Sequence, residues 1–331
     1  FDRTQQQNQN VDDIGTEKAK FVRVADARQE SLIGQTVVLK GWVRTIRSQK
    51  HLSFIDLNDG SSLSGMQIVV GAHSEEHQQL MSKIHTGTSI EVTGKVIKSP
   101  ANKQPTEMLI GEDAEGNPTP FTIRIIGECD ASTYPLQKKK HSIEFLRDNA
   151  HLRSRTNTGS AVIRVRNEAM MAIHDYFQSE SFYHVHTPII TGSDCEGAGE
   201  QFRVITSEDE VKFNSAASPA TTTTSSPSST EASSDAAAAA GKSFFGTDVY
   251  LTVSGQLAAE IFATSMSRVY TFGPTFRAET GKTSRHLAEF WMVEMEQAFV
   301  DMPTLMKHGE NMVKSAIRRV LTKCADDIQF F

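Results

Sequence analysis

The chain has 331 residues, with 34 lysines and arginines against 40 aspartates and glutamates and a formal net charge of −6. This length allows two domains, and 38% apolar with 22% charged residues is typical of a soluble globular protein. The weakly acidic balance excludes a uniformly basic nucleic-acid-binding protein, although it can conceal a local basic face. No apolar run is long enough to span a bilayer, so the sequence predicts no membrane partner.

The three cysteines, Cys129, Cys195 and Cys324, lie far apart and form no C-x-x-C pair. Their number and spacing favour a reducing compartment and argue against a structural zinc site. We therefore assign no metal-binding residue in this chain.

The N-terminal part of the chain predicts a lead-in followed by a small β-barrel. Residues 1–20 are rich in Gln, Asn and Asp and are predicted to be disordered. Residues 21–130 contain five short runs of alternating apolar residues, and five such strands suggest an OB-fold barrel. The runs are VVLKGWV, LSFIDL, MQIVV, SIEVTGKV and FTIRII. A short helix is expected between the third and fourth strands, within His73–His85.

One face of this barrel is a candidate for binding unpaired bases. Arg44 and Arg47 fall on one predicted strand, Phe54 on the next and Gln67 on the third. A combination of cations, an aromatic ring and an amide is how such barrels stack and read single-stranded nucleic acid. The alternative is that Phe54 belongs to the barrel core.

Residues 131–160 are basic and are predicted to form a hinge, and residues 161–331 a second domain. Ala161–Glu180 has apolar residues at helical spacing, including Val162 and Phe177. HVHTPIIT then predicts a strand containing Pro188, which fits only an edge or an interface because proline has no N–H to donate. An acidic, glycine-punctuated loop with Glu196 follows. Residues 207–243 are a low-complexity insertion that cannot bury enough apolar surface to fold.

The most informative stretch runs from Tyr270 to Phe299. Tyr270–Glu279 predicts a strand, Thr280–Ser284 a polar loop and Leu287–Met295 a returning strand. In such a hairpin Arg277 and Glu279 would lie on one face of the first strand. Arg and His side chains with an exposed aromatic ring suit a nucleoside triphosphate, because guanidinium groups pair bidentately with phosphate. The alternative is a salt-bridged surface hairpin.

Four segments together resemble the class II aminoacyl-tRNA synthetases of the aspartyl/asparaginyl group, and within it the asparaginyl enzymes of bacterial or organellar type. They are YPLQKKKHSIEFLR, SDCEGAGEQF, LTVSGQL and FGPTFRAE with the following TSRHLAEFWMVE. The resemblance implies an α+β fold, in which an anticodon-binding OB domain precedes an antiparallel catalytic sheet flanked by helices. It also implies a homodimer, with Pro188 at the interface.

The resemblance implies a two-step reaction with ATP, Mg²⁺, L-asparagine and tRNA(Asn). The carboxylate of asparagine attacks the α-phosphate and releases pyrophosphate; a ribose hydroxyl of the tRNA then attacks the adenylate. Arg277 would be catalytic, gripping the α-phosphate. The implied ATP-binding residues are Arg277, Glu279, Arg285, His286 and Phe290; the implied amino-acid-binding residues are Glu196, Gln256, Ala259 and Glu294; the implied anticodon-binding residues are Arg44, Arg47, Phe54 and Gln67.

Selectivity for asparagine is expected to depend on two positions. Aspartyl enzymes resemble this chain at SGQL but carry a lysine where Ala259 stands, and that lysine pairs with the substrate carboxylate. Loss of the cation favours a neutral amide, and Glu294 could accept a hydrogen bond from the carboxamide NH₂. An aspartyl enzyme remains the alternative within the family.

The family's third motif, a glycine-rich strand and helix with an arginine, has no counterpart in this sequence. We expect either a fragment of a longer protein or a non-catalytic tRNA-binding relative. Because Arg277, Glu279 and Arg285 are retained, and binding alone needs no triphosphate grip, the fragment is favoured. The expected location is the cytoplasm or an organelle matrix.

Overall fold

The structure is a computed structural model that describes most of the chain. The described residues are 19–49, 52–71, 75–100, 104–111, 122–136, 139, 141–195, 201–207, 210, 244–279, 281, 283 and 286–331. The predicted lead-in, apart from its last two residues, and almost all of the predicted insertion lie outside these ranges. Two compact units are present. The first consists of the residues up to Asn167 together with Cys324–Phe331, and the second is Glu168–Lys323. Among the described helices, none is both long and apolar enough to cross a membrane.

The first unit contains a closed β-barrel. Its strands are β1 (Lys20–Phe21), β2 (Thr36–Ser48), β3 (Leu52–Asn58), β4 (Met66–Gly71), β5 (Ser89–Lys98), β6 (Thr106–Ile110) and β7 (Thr122–Gly127). The sheet order is β1-β2-β3-β4-β6-β5-β7, and β2 also pairs with β5, which closes a ring of five strands. The predicted OB-fold is confirmed.

The ring differs from the prediction in one strand. The run FTIRII forms β7, which pairs only with β5 and stands outside the ring. The fifth ring strand is instead Thr106–Ile110, which pairs parallel to β4 and antiparallel to β5. At the β5–β6 contact, a Cβ on Gly94 would lie 2.7 Å from Met108 Cγ, so the residue at this position must be glycine for the two strands to approach.

Alternation along the strands explains the barrel core. Ile55 and Leu57 on β3 and Ile90 and Val92 on β5 are fully buried, while Asp56 and Glu91 between them are less buried and lie on the other face. A helix, α2 (Glu75–Ser82), lies between β4 and β5 as predicted, and α1 (Val24–Ala27) adds Val24 to the same core.

Short helices follow the barrel in the same unit. They are α3 (Ile143–Asp148), which Ser142 caps through a hydrogen bond from Phe145 N–H, and α4 (Ala150–Arg153). The long helix α5 (Asn157–Ser179) then begins. Near its start Arg164 forms a bidentate ion pair with Asp327, at 3.0 and 2.7 Å, and donates to the Gly60 carbonyl. Asp327 belongs to α8 (Ala325–Phe330).

The second unit is built on a three-stranded sheet. Its strands are β8 (Tyr183–His184), β11 (Arg268–Phe276) and β12 (Glu289–Gln297), with a separate pair β9 (Ile190–Thr191) and β10 (Tyr250–Leu251); its helices include α6 (Gln256–Met266) and α7 (Met302–Lys323). Aromatic packing of Tyr176 and Phe177 of α5 against Tyr270 covers one face of the sheet. The mixed architecture confirms the α+β class.

The prediction of one strand through Pro188 is wrong. The segment forms two short strands, β8 and β9, and Pro188 lies exposed between them. Proline has no N–H to donate to a neighbouring strand, so strand pairing stops on both sides of it. The role of Pro188 in an interface stays a prediction.

Candidate active site and RNA-binding face

A single hairpin, β11 and β12, carries the predicted nucleotide-binding residues. The two strands pair from Arg268 with Gln297 to Phe276 with Glu289. The prediction placed Arg277 and Glu279 on the first strand, but that strand ends at Phe276. Among the described residues of the hairpin, one further backbone bond, from Arg277 N–H to the Ala288 carbonyl at 3.0 Å, continues the pairing. The two side chains therefore lie just beyond the strand, at the mouth of the hairpin loop.

The hairpin mouth brings four of the five predicted ATP-binding side chains together. The Arg277 guanidinium lies 5.5 Å from the centre of the Phe290 ring, and its Nη1 is 4.0 Å from Glu279 Oε1. His286 Nε2 is 3.7 Å from the other oxygen of Glu279. Arg285, the fifth residue, lies outside the described residues.

Arg277 retains unused hydrogen-bonding capacity. Its Nε is buried and has no hydrogen-bond partner among the described residues, and its side chain is 31% exposed. A guanidinium held over an aromatic ring, with free N–H groups, can pair bidentately with a phosphate. The arrangement therefore favours an anionic ligand over the alternative of a salt-bridged surface hairpin.

Glu294, four residues along β12 from Phe290, holds a tight turn. One of its carboxylate oxygens accepts a hydrogen bond from the Ser254 hydroxyl, and the other accepts from Gly255 N–H at 2.9 Å. The Ser254 hydroxyl in turn accepts from Gln256 N–H at 3.1 Å, at the start of α6. A single carboxylate thus fixes the SGQ turn, with lone pairs left on both of its oxygens.

Neighbouring side chains pack tightly against the backbone of this turn. A Cβ on Gly255 would lie 2.7 Å from Thr187 Oγ1 and 3.1 Å from Glu294 Oε2, so only glycine fits there. The hydroxyl groups of Thr187 and Thr271 are 3.2 Å apart beside it. A cavity of about 390 Å³ is bordered by these residues, with Glu294 at its wall. This volume lies within the range of small-ligand sites.

The face of β12 around Glu294 is acidic. Burial raises the pKa of the Glu296 carboxyl, and the negative charges of Glu260 and Glu294 raise it further. Such a face favours a cationic group such as an ammonium. Gln256, predicted to bind the substrate ammonium, donates to Glu260 at 3.0 Å and does not line the cavity. Glu196, its predicted companion, lies outside the described residues.

Ala259 occupies a different environment from the one expected. It is fully buried in a small apolar cluster with Val185, Ala263 and Val269 and does not line the cavity. A lysine at this position would have to leave that cluster to reach a substrate. The contribution of Ala259 to selectivity stays a prediction, and the structure gives it a packing role.

A histidine cluster that sequence reasoning missed borders the same cavity. His184 lies 5.1 Å, ring to ring, from both His174 and His186, and its Nε2 is buried without a partner among the described residues. His174 Nδ1 is 2.8 Å from the Tyr270 hydroxyl. Burial lowers the pKa of His184, and the two neighbouring imidazoles lower it further. The signal in the sequence was the HVH pair, which we interpreted only as part of a strand.

This cluster predicts a pH-dependent stability. Because the folded state disfavours the charged form of His184, stability is intact above the unfolded pKa of about 6.5 and falls as the pH drops below it. We expect His184→Phe to reduce the loss of stability between about pH 7.5 and 5.5, as measured by urea midpoints. His151→Phe, at an exposed position, is the control. An unchanged pH dependence in His184→Phe would contradict this assignment.

On the barrel, the structure resolves whether Phe54 is core. Ser53, Ile55, Leu57 and Asn58 are the buried residues of β3, whereas Phe54 is half-buried and lies on the face opposite to Ile55. Arg47 is its direct cross-strand neighbour on β2, so the two side chains share a face. Asp56, two residues on, pairs with Gln67 of β4 and adds it to the same face.

Gln67 has a partner that sequence reasoning missed. Its amide donates to Glu107 at 3.1 Å, and Gln104 and Ser99 donate to the same carboxylate oxygen at 3.3 Å each. Glu107 is only 5% exposed. This buried carboxylate fixes the orientation of the Gln67 amide and leaves its carbonyl oxygen as an acceptor. Because Glu107 lies on the strand that was not predicted, no pattern pointed to it.

Arg44 lies at a bulge of β2, between Val43 and Thr45 in the pairing with β3. Burial lowers the pKa of its guanidinium, Asp56 and Tyr134 oppose that effect, and the nearby charges of Arg155 and Arg164 add to it. Arg44, Arg47 and Gln67 line one groove of about 1100 Å³, whereas Phe54 does not. Three of the four predicted anticodon residues therefore share a groove.

The described residues contain no group of three or more His, Cys, Asp or Glu side chains arranged to hold a metal ion.

The first unit contains a five-stranded barrel, and in the second unit residues of the hairpin and of the Glu294 turn border a cavity of small-ligand size. Residues 142–330 match the family model of tRNA synthetases class II (D, K and N), and residues 37–112 match the OB-fold nucleic acid binding domain. Because the first match covers more than half of the chain, the protein belongs to the class II tRNA synthetases of the D, K and N group.

Within that group the similar proteins include asparagine–tRNA ligases. The chain is 46% identical to the asparagine–tRNA ligase of Protochlamydia amoebophila over 314 residues, which are 95% of this chain and 61% of that protein. It is 47% identical over 303 residues to a Dictyostelium discoideum protein named "Probable asparagine--tRNA ligase, mitochondrial", covering 91% of this chain and 56% of that one. The chain thus spans about three fifths of the length of such relatives.

Solved structures support the fold. The asparaginyl-tRNA synthetase of Pyrococcus horikoshii, complexed with asparaginyl-adenylate, matches with a TM-score of 0.70 at 24% identity and covers 94% of this chain and 60% of that one. The Entamoeba histolytica enzyme, in complex with the same adenylate, matches with a TM-score of 0.69 at 23% identity, over 95% and 60%. At these identities the likeness concerns the fold alone.

Proposed function

We propose that the protein ligates asparagine to tRNA(Asn) in an ATP-dependent reaction that passes through asparaginyl-adenylate. The observation that carries this proposal is the hairpin, which presents Phe290 and Glu294 on the same face of β12. Four residues at about 3.4 Å each separate them by roughly 14 Å, which allows one extended aminoacyl-nucleotide to contact both. The names of the similar proteins, asparagine–tRNA ligases, support the same proposal.

In the proposed reaction, the protein acts by positioning and charge stabilisation. Arg277 pairs with the α-phosphate while the carboxylate of asparagine attacks it and pyrophosphate leaves. Phe290 offers its ring to adenine, with Glu279 near it, and Arg285 and His286 meet the outer phosphates. Mg²⁺ enters as part of the substrate, bound to the phosphate oxygens that it prefers.

Recognition of the amino acid is proposed to centre on Glu294. Its oxygens each keep a lone pair after binding Ser254 and Gly255, so they can accept from the carboxamide NH₂ of asparagine. An aspartate side chain in the same place would bring a second carboxylate against Glu294 and is disfavoured. Gln256 and Glu196 are proposed to bind the ammonium. Ala259 stands where aspartyl enzymes carry a lysine, and the absence of that positive charge is proposed to disfavour aspartate.

The tRNA is proposed to bind through the barrel. Phe54 stacks on the middle anticodon base, Gln67 hydrogen-bonds to it, and Arg44 and Arg47 bind the RNA strand. A homodimer with Pro188 at its interface, and a location in the cytoplasm or in an organelle matrix, complete the proposal. A relative named as mitochondrial supports the organelle option without excluding the other.

The test is ATP–pyrophosphate exchange with the complete protein encoded by the gene, using asparagine and then aspartate. We expect exchange with asparagine only. Exchange with aspartate instead would identify the alternative aspartyl enzyme. Absence of exchange with either amino acid, together with retained tRNA binding, would establish the alternative of a non-catalytic tRNA-binding protein.

A further inference from the structure

The groove on the barrel extends beyond the predicted base-reading residues. Besides Arg44, Arg47 and Gln67 it is lined by Trp42 of β2 and by residues that follow the barrel, including Lys139 and Arg155. All of these belong to the same compact unit. The function proposed above uses only the first part of this groove.

The groove is basic in a chain whose net charge is −6. Among the described residues, its lining contains five lysine or arginine residues and one acidic residue, Asp56; the cations are Arg28, Arg44, Arg47, Lys139 and Arg155. The ion pairs found among the described residues include none of Arg44, Arg47 and Arg155. Gathering like charges without partners is unfavourable unless an anion compensates them.

Trp42 and Arg155 form a preorganised pair at this end of the groove. The Arg155 guanidinium lies 5.0 Å from the centre of the Trp42 ring, and the indole is 41% exposed. A guanidinium stacked on an aromatic ring is held in place while its N–H edge stays free for phosphate oxygens. An exposed indole beside it offers a surface on which a nucleobase or ribose can stack.

We propose that Trp42, Lys139 and Arg155 form a second RNA-binding site, which holds the sugar-phosphate backbone independently of sequence. The occupant is the RNA strand that continues from the bases read at Gln67. The proposal rests on the proposed function for its RNA partner. Unpartnered guanidinium groups and an exposed aromatic ring together favour RNA over an acidic peptide, which would use the charges alone.

The experiment measures binding of two fluorescein-labelled RNA hairpins to the complete protein at several salt concentrations. The hairpins share one stem, and only one carries the asparagine anticodon in its loop. We expect Trp42→Ala to weaken both hairpins about tenfold, since stacking on one ring contributes at this level. Arg155→Ala should weaken both equally and lower the slope of log K against log salt by about 1.

Matched variants separate charge, stacking and folding. Arg155→Lys keeps the charge, so its salt slope should stay near that of wild type while affinity falls. Trp42→Phe keeps an aromatic ring and should retain most of the affinity, which guards against loss of folding in Trp42→Ala. Arg124→Ala is the control, because Arg124 is exposed and pairs with Glu91 on the barrel outside the groove. It should bind both hairpins like wild type.

Two outcomes would overturn this second site. One is wild-type affinity and salt slope in both Trp42→Ala and Arg155→Ala. The other is polyglutamate binding that matches hairpin binding and is lost equally in these variants. Failure of the proposed function would look different: the protein would not distinguish the two loops and would not exchange with asparagine, yet Arg155→Ala would still weaken both hairpins.

Discussion

Replacing Arg277 by lysine in the complete protein is expected to lower the rate of asparagine-dependent ATP–pyrophosphate exchange by about 10²- to 10³-fold. The side chain stands over Phe290, close to Glu279, and its buried Nε has no partner among the described residues. Lysine keeps the positive charge but lacks the planar fork that pairs with two phosphate oxygens. The loss should appear in kcat as well as in kcat/KM, because the contact strengthens as charge develops on the α-phosphate.

Arg268→Lys provides a matched control on the same hairpin. Arg268 begins β11, and its guanidinium donates to the Glu180 carbonyl at 3.1 Å, far along the strand from Phe290. Its exchange rate should stay close to that of wild type. Binding of tRNA should be unchanged in Arg277→Lys, because the proposed anticodon contacts are on the barrel. An exchange rate equal to wild type in Arg277→Lys would show that Arg277 only packs on Phe290.

Local patterns predicted most of the barrel and failed at one informative strand. Alternation of apolar residues identified β2, β3 and β5, in which buried and less buried positions largely alternate, and the apolar run MQIVV identified β4, which is buried almost throughout. Thr106–Ile110 escaped notice because its second residue, Glu107, is charged in the sequence and 5% exposed in the structure. That burial is possible only because side chains from three other places in the chain donate to its carboxylate. Single-strand patterns contain no such information.

The second unit shows the same limit. The segments FGPTFRAE and TSRHLAEFWMVE identified the hairpin and its candidate residues. They did not show that Glu294 holds the Ser254–Gly255 turn through two hydrogen bonds. The periodicity of α5 placed Val162 on the buried face, although it is 50% exposed and Ala161 beside it is fully buried. Helical spacing gives an apolar stripe, and the stripe's exact orientation depends on neighbours distant in sequence.

Replacing Glu294 by glutamine is expected to reduce the preference for asparagine over aspartate by at least about tenfold, which corresponds to roughly 1.4 kcal/mol. The carboxylate accepts from Ser254 on one oxygen and from Gly255 N–H on the other. A glutamine must present its NH₂ group either to one of these donors or to the carboxamide NH₂ of asparagine. Against Gly255 N–H or the carboxamide NH₂ this places two donors face to face, and against Ser254 the hydroxyl must turn from donor to acceptor; in every case the repulsion that excludes aspartate is lost with the charge.

Two further variants test whether Glu294 selects the amino acid or only stabilises the turn. Glu296→Gln removes a neighbouring carboxylate on the same face of β12, whose pKa is raised by burial and by Glu260 and Glu294, and should leave the preference unchanged. Ser254→Ala removes one donor but keeps the Glu294 charge, so it should lower kcat/KM for asparagine while aspartate stays excluded. If Glu294→Gln lowers exchange with both amino acids by the same factor, Glu294 stabilises the turn without choosing the substrate. A falling asparagine/aspartate ratio, with ATP affinity unchanged, would instead assign the choice to this carboxylate.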